Sequence, residues 1–130
     1  MANYSTFAIL FSQMEDCVFC KIIDRKLPSK IEYEDKDIIV FQNINPLAPV
    51  HILIVPKKHI SSLSEIVESD RELLGKALLV AKKVAEDLGI SEAFRVAIAN
   101  GENAGQSVFH LHFHLTGGWK KKYNRDEDKA

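Results

Sequence analysis

Three histidines occupy alternate positions near the end of the chain, His110, His112 and His114, interleaved with Phe109, Leu111, Phe113 and Leu115. Extended backbone sends successive side chains to opposite faces. The alternation therefore predicts a strand over residues 109–115 with apolar groups on one face and three imidazoles on the other, about 6–7 Å apart. Imidazole titrates near neutrality and can act as acid, base, nucleophile or metal ligand. Lysine or threonine would solvate an edge strand equally well, so three imidazoles on one face point to chemistry. The other two histidines are His51, within an apolar run, and His59, just beyond it. His51 reads as a supporting residue, with a hydrogen-bonded core histidine as the alternative.

The two cysteines of the chain, Cys17 and Cys20, form a second constellation. A pair three positions apart makes no disulfide framework. It could be half of a tetrahedral zinc site, a redox pair or two buried thiols. Gly105, Gln106 and Ser107 precede the histidines directly. Alone they read as a tight turn, but beside the imidazoles their small size would let main chain approach an anion.

The elements that must position these groups follow from periodicity. Val18, Phe19, Ile22 and Ile23 recur at helical spacing and Pro28 stops the pattern, predicting a short helix over 17–27 that carries the cysteines. Residues 31–33 and 38–41 read as a hairpin across the turn-like segment 34–37. Asn43, Asn45, Pro46 and Pro49 mark a loop, and residues 50–55 read as a strand covered on both faces. Pro56 ends that strand, and residues 57–59 leave on a turn. Leu73, Leu74, Ala77, Leu78, Ala81, Val84, Ala85 and Leu88 mark the main amphipathic helix over 71–88, with Gly89 as its C-cap. Residues 94–99 read as a strand and 100–105 as a loop tolerant of positive φ. The expected class is α+β, an antiparallel sheet of about five strands packed against one long and one short helix.

With 130 residues, 46% of them apolar, the chain can bury one core, which is expected over residues 17–118. Residues 1–16 show no period and read as a flexible arm, within which Met14 is a second possible start. Residues 119–130 read as a flexible tail with an aromatic handle. Lys and Arg total 17 against 18 Asp and Glu, so no broad positive field would gather a nucleic acid polymer, and a nucleotide partner should be small. The apolar run at residues 7–11 is far shorter than the roughly 20 residues of a bilayer span, and no basic segment precedes it. A cytoplasmic protein without membrane association is expected.

The run from Gly105 to Leu115 resembles the signature of the histidine triad (HIT) family. Phe19, Lys21-Ile22-Ile23, Pro28, Glu34-Asp35, Pro56-Lys57-Lys58-His59 and Leu88-Gly89 also stand where that family has them, so the likeness runs from Cys17 to Gly118. The Gly117-Gly118 ending is similar to its nucleotide-binding phosphoramidase branch, the HINT-like proteins. The resemblance implies that His112 attacks the α-phosphorus of a purine nucleotide, giving a nucleotidyl-histidine that water then hydrolyses. It places His110, His114 and Ser107 in the catalytic set, with Gly105, Gln106, Ser107, His112 and His114 around the phosphate. Phe19, Ile22, Phe41 and Ile44 would surround the purine, and position 43 would meet the ribose.

The resemblance further implies a structural zinc ion held by Cys17, Cys20, His59 and His110, and no organic cofactor. It implies a homodimer paired through the long helix and an edge strand, with Trp119 or Tyr123 reaching toward the partner's site. Three activities remain open: a purine nucleoside phosphoramidase, which leads; a dinucleoside polyphosphate hydrolase or nucleotidyl transferase; and an AMP-binding sensor or scaffold without turnover. The chain departs from the family pattern at Asn43, where Asp is usual and a charge-assisted acceptor is lost. It departs also at Ala99, where relatives often carry Asn, and at Thr116, which replaces an apolar residue.

Overall fold

The computed structural model describes residues 16–125, so the arm expected over 1–16 lies outside it except for Asp16, as do Met14 and the last five residues of the tail. Five strands form one antiparallel sheet in the order β1-β2-β3-β5-β4: β1 Ile31–Glu34, β2 Ile38–Gln42, β3 Val50–Pro56, β4 Phe94–Ala97 and β5 Phe113–Gly117. The helices are α1, Val18–Ile23, and α2, Arg71–Asp87; two short 3-10 turns lead from β3 into α2 and a third lies between β4 and β5.

The near-continuous apolar runs of β2 and β3 are explained by cover on both faces. Ile38 and Val40 of β2, with Ile52 and Ile54 of β3 and Phe113 and Leu115 of β5, pack against Ala77, Val80, Ala81, Val84 and Ala85 of α2. Ala77, Ala81 and Ala85 recur every four residues, so one small-residue ridge lies on the sheet. Ile39, Phe41, Leu53 and Val55 face the other way and meet Cys17, Phe19 and Ile22 of the α1 segment. The functional residues gather on this second face.

Local chemistry sets the turns. Asp35 Oδ1 accepts the N–H groups of Asp37 and Ile38 at 2.8 and 2.9 Å, closing the β1-β2 hairpin. Gly89 follows α2 at φ +73°, the left-handed conformation expected just past a helix end. A Cβ on Gly117 would lie 2.8 Å from Ile90 Cδ1 and 3.2 Å from the Ala93 carbonyl oxygen, so a larger residue there would push the Ile90 side chain and the segment before β4 aside.

Three boundaries differ from expectation. The first helix ends at Ile23 instead of residue 27: Arg25 takes φ +61°, and Lys26 and Leu27 both donate back to the Lys21 carbonyl, so the chain has turned before Pro28. The strand expected over 94–99 stops at Ala97.

The histidine strand expected over 109–115 begins only at Phe113. Pro56, at the end of the neighbouring β3, has no N–H to give a ladder, and its carbonyl accepts a bond from His110 Nε2 at 2.7 Å. Leu111 N–H goes instead to the Ile60 carbonyl at 2.6 Å. His110 and His112 therefore precede the sheet, and Phe109, expected on the apolar face, is half exposed. Leu111, Phe113 and Leu115 are buried as the alternation requires.

In the described part of the tail, Arg95 of β4 donates to the Tyr123 hydroxyl at 2.8 Å and stacks on its ring at 4.3 Å, while Trp119 packs 5.2 Å from that ring. Among the described residues no helix is long and apolar enough to cross a membrane.

Ile54, fully buried between sheet and α2, supplies the test of this core. Ile54→Ala is expected to cost about 2–5 kcal/mol, read as a lower denaturant midpoint at unchanged slope. A loss below about 1 kcal/mol would contradict the packing described.

Candidate active site

On the α1 side of the sheet lies a cavity of about 450 Å³ lined by Phe19, Ile22, Phe41, Asn43, Ile44, Ser107, His112 and His114, eight of the residues singled out from the sequence. Val18, Leu27, Leu53 and Val108 line it as well. Nothing in their types marks them, since their place depends on how the α1 segment closes over the sheet. Phe19 stands edge-on to Phe41 at 5.3 Å and to His112 at 5.0 Å, joining the apolar end of the cavity to its imidazole end. A flat apolar group with an attached polar group suits such a lining.

Hydrogen bonding assigns the ring protons. His112 Nδ1 lies 2.8 Å from the His110 carbonyl oxygen, which can only accept, so Nδ1–H donates and Nε2 keeps its lone pair. His51, buried beneath, accepts the Leu47 N–H at Nδ1 (3.0 Å) and in its neutral form carries its proton on Nε2. That Nε2–H donates to His114 Nδ1 at 2.9 Å, which leaves the His114 proton on Nε2. The rings of His112 and His114 are 4.9 Å apart, closer than the spacing of an ideal strand because they tilt toward each other.

Burial lowers the pKa of His112 against the opposing effect of its bond to the His110 carbonyl. Burial, then the neighbouring His112 and His51, lowers that of His114 to about 4. Both rings are thus held neutral at pH 7, one as a nucleophile or base and the other as a hydrogen-bond donor.

The loop before the histidines differs from expectation. Gly101 at φ +92° and Gly105 at φ +96° let the chain double back around a 3-10 turn. Gly105 N–H donates to the Glu102 carbonyl and Gln106 N–H to that of Gly101, so neither amide is presented to a ligand. The Gln106 side chain is buried: its Oε1 accepts Gly101 N–H, and its Nε2 donates to the carbonyls of Ser61 and Val108. Gly105 and Gln106 therefore brace the loop, and Ser107 is the member that lines the cavity. Asn100, beside Ala99, is bonded to Ser64 through both its side-chain atoms.

His110 is turned away from the cavity and is fully buried. Its Nδ1 lies 3.3 Å from Cys17 Sγ, 3.5 Å from Cys20 Sγ and 3.1 Å from His59 Nδ1, and Cys20 Sγ is 3.3 Å from His59 Nδ1. All four ligand atoms lie within 4.8 Å of one another. A tetrahedral zinc with bonds of about 2.3 Å to sulfur and 2.0–2.1 Å to nitrogen has edges of roughly 3.3–3.8 Å, so the set fits such an ion.

The donor chemistry agrees. His110 Nε2–H donates to Pro56, which turns the Nδ1 lone pair into the cluster, while His59 Nε2 is buried without a partner among the described residues. His59 Nδ1 and His110 Nδ1 lie 3.1 Å apart, so one proton can bridge them or a cation can take both lone pairs. Burial lowers the pKa of His59 and takes that of His110 to about 4, keeping both as neutral ligands. Burial and the adjacent Cys17 push the Cys20 thiol up to about 12; a bound cation reverses that preference and favours thiolate.

A pH dependence of stability follows. The unfolded chain protonates its imidazoles near the ordinary value of 6.5, whereas folded His114 resists protonation to about 4. Below 6.5 the unfolded state binds the extra proton, so stability falls as pH drops through that interval and levels off below it. Thermal melts from pH 7 to 4 should show a smaller decline for His114→Gln than for the unsubstituted protein. Equal declines would mean that the fold does not hold His114 neutral.

The family model for the scavenger mRNA decapping enzyme C-terminal binding region matches residues 16–125. An uncharacterised HIT-like protein of Synechocystis is 52% identical over 104 residues, 80% of this chain and 91% of its own. A HIT family hydrolase from Clostridium thermocellum has a similar structure, with a TM-score of 0.81 and 53% identity over 85% of this chain and 96% of the other. A zinc-bound histidine triad family protein from Mycobacterium smegmatis matches with a TM-score of 0.70 and 27% identity, over 82% of this chain and 78% of its own.

Proposed function

The chain belongs to the histidine triad family, and on that premise we propose that it cleaves purine nucleotides at the α-phosphate through a covalent intermediate on His112. The observation that carries this reading is the bond from His112 Nδ1–H to the His110 carbonyl, which leaves the Nε2 lone pair at the cavity. A neutral imidazole so oriented is a competent nucleophile without further activation. Attack forms an Nε2–P bond as the leaving group departs with its electron pair. Ser107 and His114 Nε2–H hydrogen-bond the phosphoryl oxygens, where charge develops. Water then cleaves the N–P bond, releasing a nucleoside monophosphate and restoring His112.

The purine would lie among Phe19, Ile22, Phe41 and Ile44, with the ribose at Asn43; a cavity of about 450 Å³ accommodates a nucleoside monophosphate. The leading substrate is a purine nucleoside 5′-phosphoramidate. A dinucleoside polyphosphate or a nucleotidyl acceptor would use the same nucleophile with a different leaving group. Zinc is the metal we assign to Cys17, Cys20, His59 and His110; when bound it supplies a structural clamp, and the zinc-bound relative supports that choice.

A homodimer is supported by Leu78 and Leu79, exposed at 52% and 70% on α2, and by β4, which ends the sheet with Val96 exposed. The catalytic unit in this reading is residues 17–118. A small nucleotide substrate and reduced cysteines suit a cytoplasmic protein.

The test is incubation with adenosine 5′-phosphoramidate and with a diadenosine polyphosphate, comparing the unsubstituted protein with His112→Ala. The variant should lose at least about a thousandfold in rate. An alkaline quench followed by peptide mass spectrometry should place the adenylyl group on His112. An adduct on another residue would overturn the assignment, and AMP binding without turnover of either substrate would leave a sensor. For the metal, protein purified without chelator should carry about one zinc per chain, with Cys20→Ser carrying far less. A metal-free, fully reduced preparation of native fold would remove the clamp from the reading.

A further inference from the structure

Phe41 on β2 and Asn43, two positions further on, both line the cavity, and extended backbone sets their side chains on one face about 6–7 Å apart. Asn43 is still in the ladder, since its N–H donates to the His51 carbonyl at 3.0 Å. Across the sheet Phe41 faces Leu53, and Leu53 faces His114, so the cavity runs from an aromatic wall to the imidazoles with Asn43 on its flank. A base against Phe41 and a phosphorus at His112 therefore leave the sugar between them to pass Asn43.

What Asn43 can give a sugar is limited by the bonds it already makes. Its Oδ1 accepts the Asn45 N–H at 2.9 Å, a turn that starts the loop, and its Nδ2 lies 3.2 Å from His51 Nε2. The residue is half-buried beside exposed Ile44 and Asn45, so water can take up a hydrogen bond that a ligand does not make. The neighbouring Gln42 is committed as well, its Nε2 donating to Glu32 at 2.7 Å. Among the described residues that line the cavity there is no Asp, Glu, Lys or Arg.

Strong selection of ribose over deoxyribose has two physical sources. A carboxylate can accept from the 2′-hydroxyl in a charge-assisted bond. Alternatively, a buried polar atom is stranded when the hydroxyl is missing, and that penalty rejects the analogue. This cavity has neither. No carboxylate lines it, and the oxygen of Asn43 keeps its partner in Asn45 whether or not a hydroxyl is present.

We infer that the site takes 2′-deoxyribonucleotides as well as ribonucleotides, and that Asn43 is the residue that sets this tolerance. The inference rests on the nucleotide reading of the same cavity and widens its substrate class. In Asn43→Asp one carboxylate oxygen would keep the Asn45 N–H and the other would be open to the 2′-hydroxyl, so selection for ribose should appear.

The test compares kcat/KM for adenosine 5′-phosphoramidate and 2′-deoxyadenosine 5′-phosphoramidate. In the unsubstituted protein the ribo form should lead by less than about tenfold, the worth of one neutral hydrogen bond. Asn43→Asp should widen that lead by about tenfold or more, whereas Asn43→Ala should change it by less than about threefold. A larger lead in the unsubstituted protein, or an unmoved one in folded Asn43→Asp, would overturn the inference. Should Asn43→Asp fail to fold, the unsubstituted ratio decides.

Titration calorimetry with AMP and 2′-deoxy-AMP reads the same preference as a ratio of dissociation constants, again expected below about tenfold. It requires no turnover, so it stands even where no adduct forms on His112. Binding of neither nucleotide would overturn the inference together with the nucleotide reading of the cavity.

Discussion

A single backbone group, the carbonyl of His110, binds the parts of this site together. It accepts the proton of His112 Nδ1 and so decides which nitrogen of that ring meets the cavity. The carbonyl is itself held in place because the His110 ring is anchored at both nitrogens, one on the Pro56 carbonyl and the other in the cluster with Cys17, Cys20 and His59. Holding a ring in one orientation to within a fraction of an ångström requires support that does not yield. Here it comes from a buried ring whose every polar contact is specified.

The neutral state of the histidines has one origin. Burial dominates the shifts of His59, His110, His112 and His114, and the like character of neighbouring rings adds to it at His110 and His114. Five imidazoles could share this small volume as cations only at heavy mutual repulsion. As neutral rings, each needs one donor and one acceptor position satisfied, and the chain provides carbonyls, a backbone amide and a partner imidazole for most of them. His112 Nε2 and His114 Nε2 face the cavity, and among the described residues His59 Nε2 is the fully buried ring nitrogen without a partner.

Much of this was legible in the sequence because the decisive signals were periodic or rare. The spacing of Leu73 through Leu88 marks α2, and apolar residues at successive positions of β2 and β3 mark strands covered on both sides. Histidine and cysteine are scarce enough that their spacing marks a reactive face and a close thiol pair, while the resemblance to the histidine triad family supplies His59 and His110 to complete the cluster. What the sequence concealed lies in the competition for hydrogen bonds. Alternation of Phe109 through Leu115 implied a continuous strand, yet Pro56 on the neighbour leaves that stretch without a ladder donor. Gln106 looked like a ligand contact, but its amide is consumed by three backbone groups of its own loop. Both outcomes depend on which distant atoms arrive nearby, and no local pattern encodes that.

The first helix has a further consequence. At six residues it is far too short to persist by its own backbone bonding, yet Phe19 and Ile22, which wall the cavity, sit on it between and beside the two cysteines. Whatever tethers Cys17 and Cys20 therefore also shapes the wall that a base would press against. Two occupants that stabilise the same marginal segment must favour each other's retention, by thermodynamic reciprocity. The cavity and the cluster, which share no ligand atom, are joined through a single turn of helix whose order each helps to maintain.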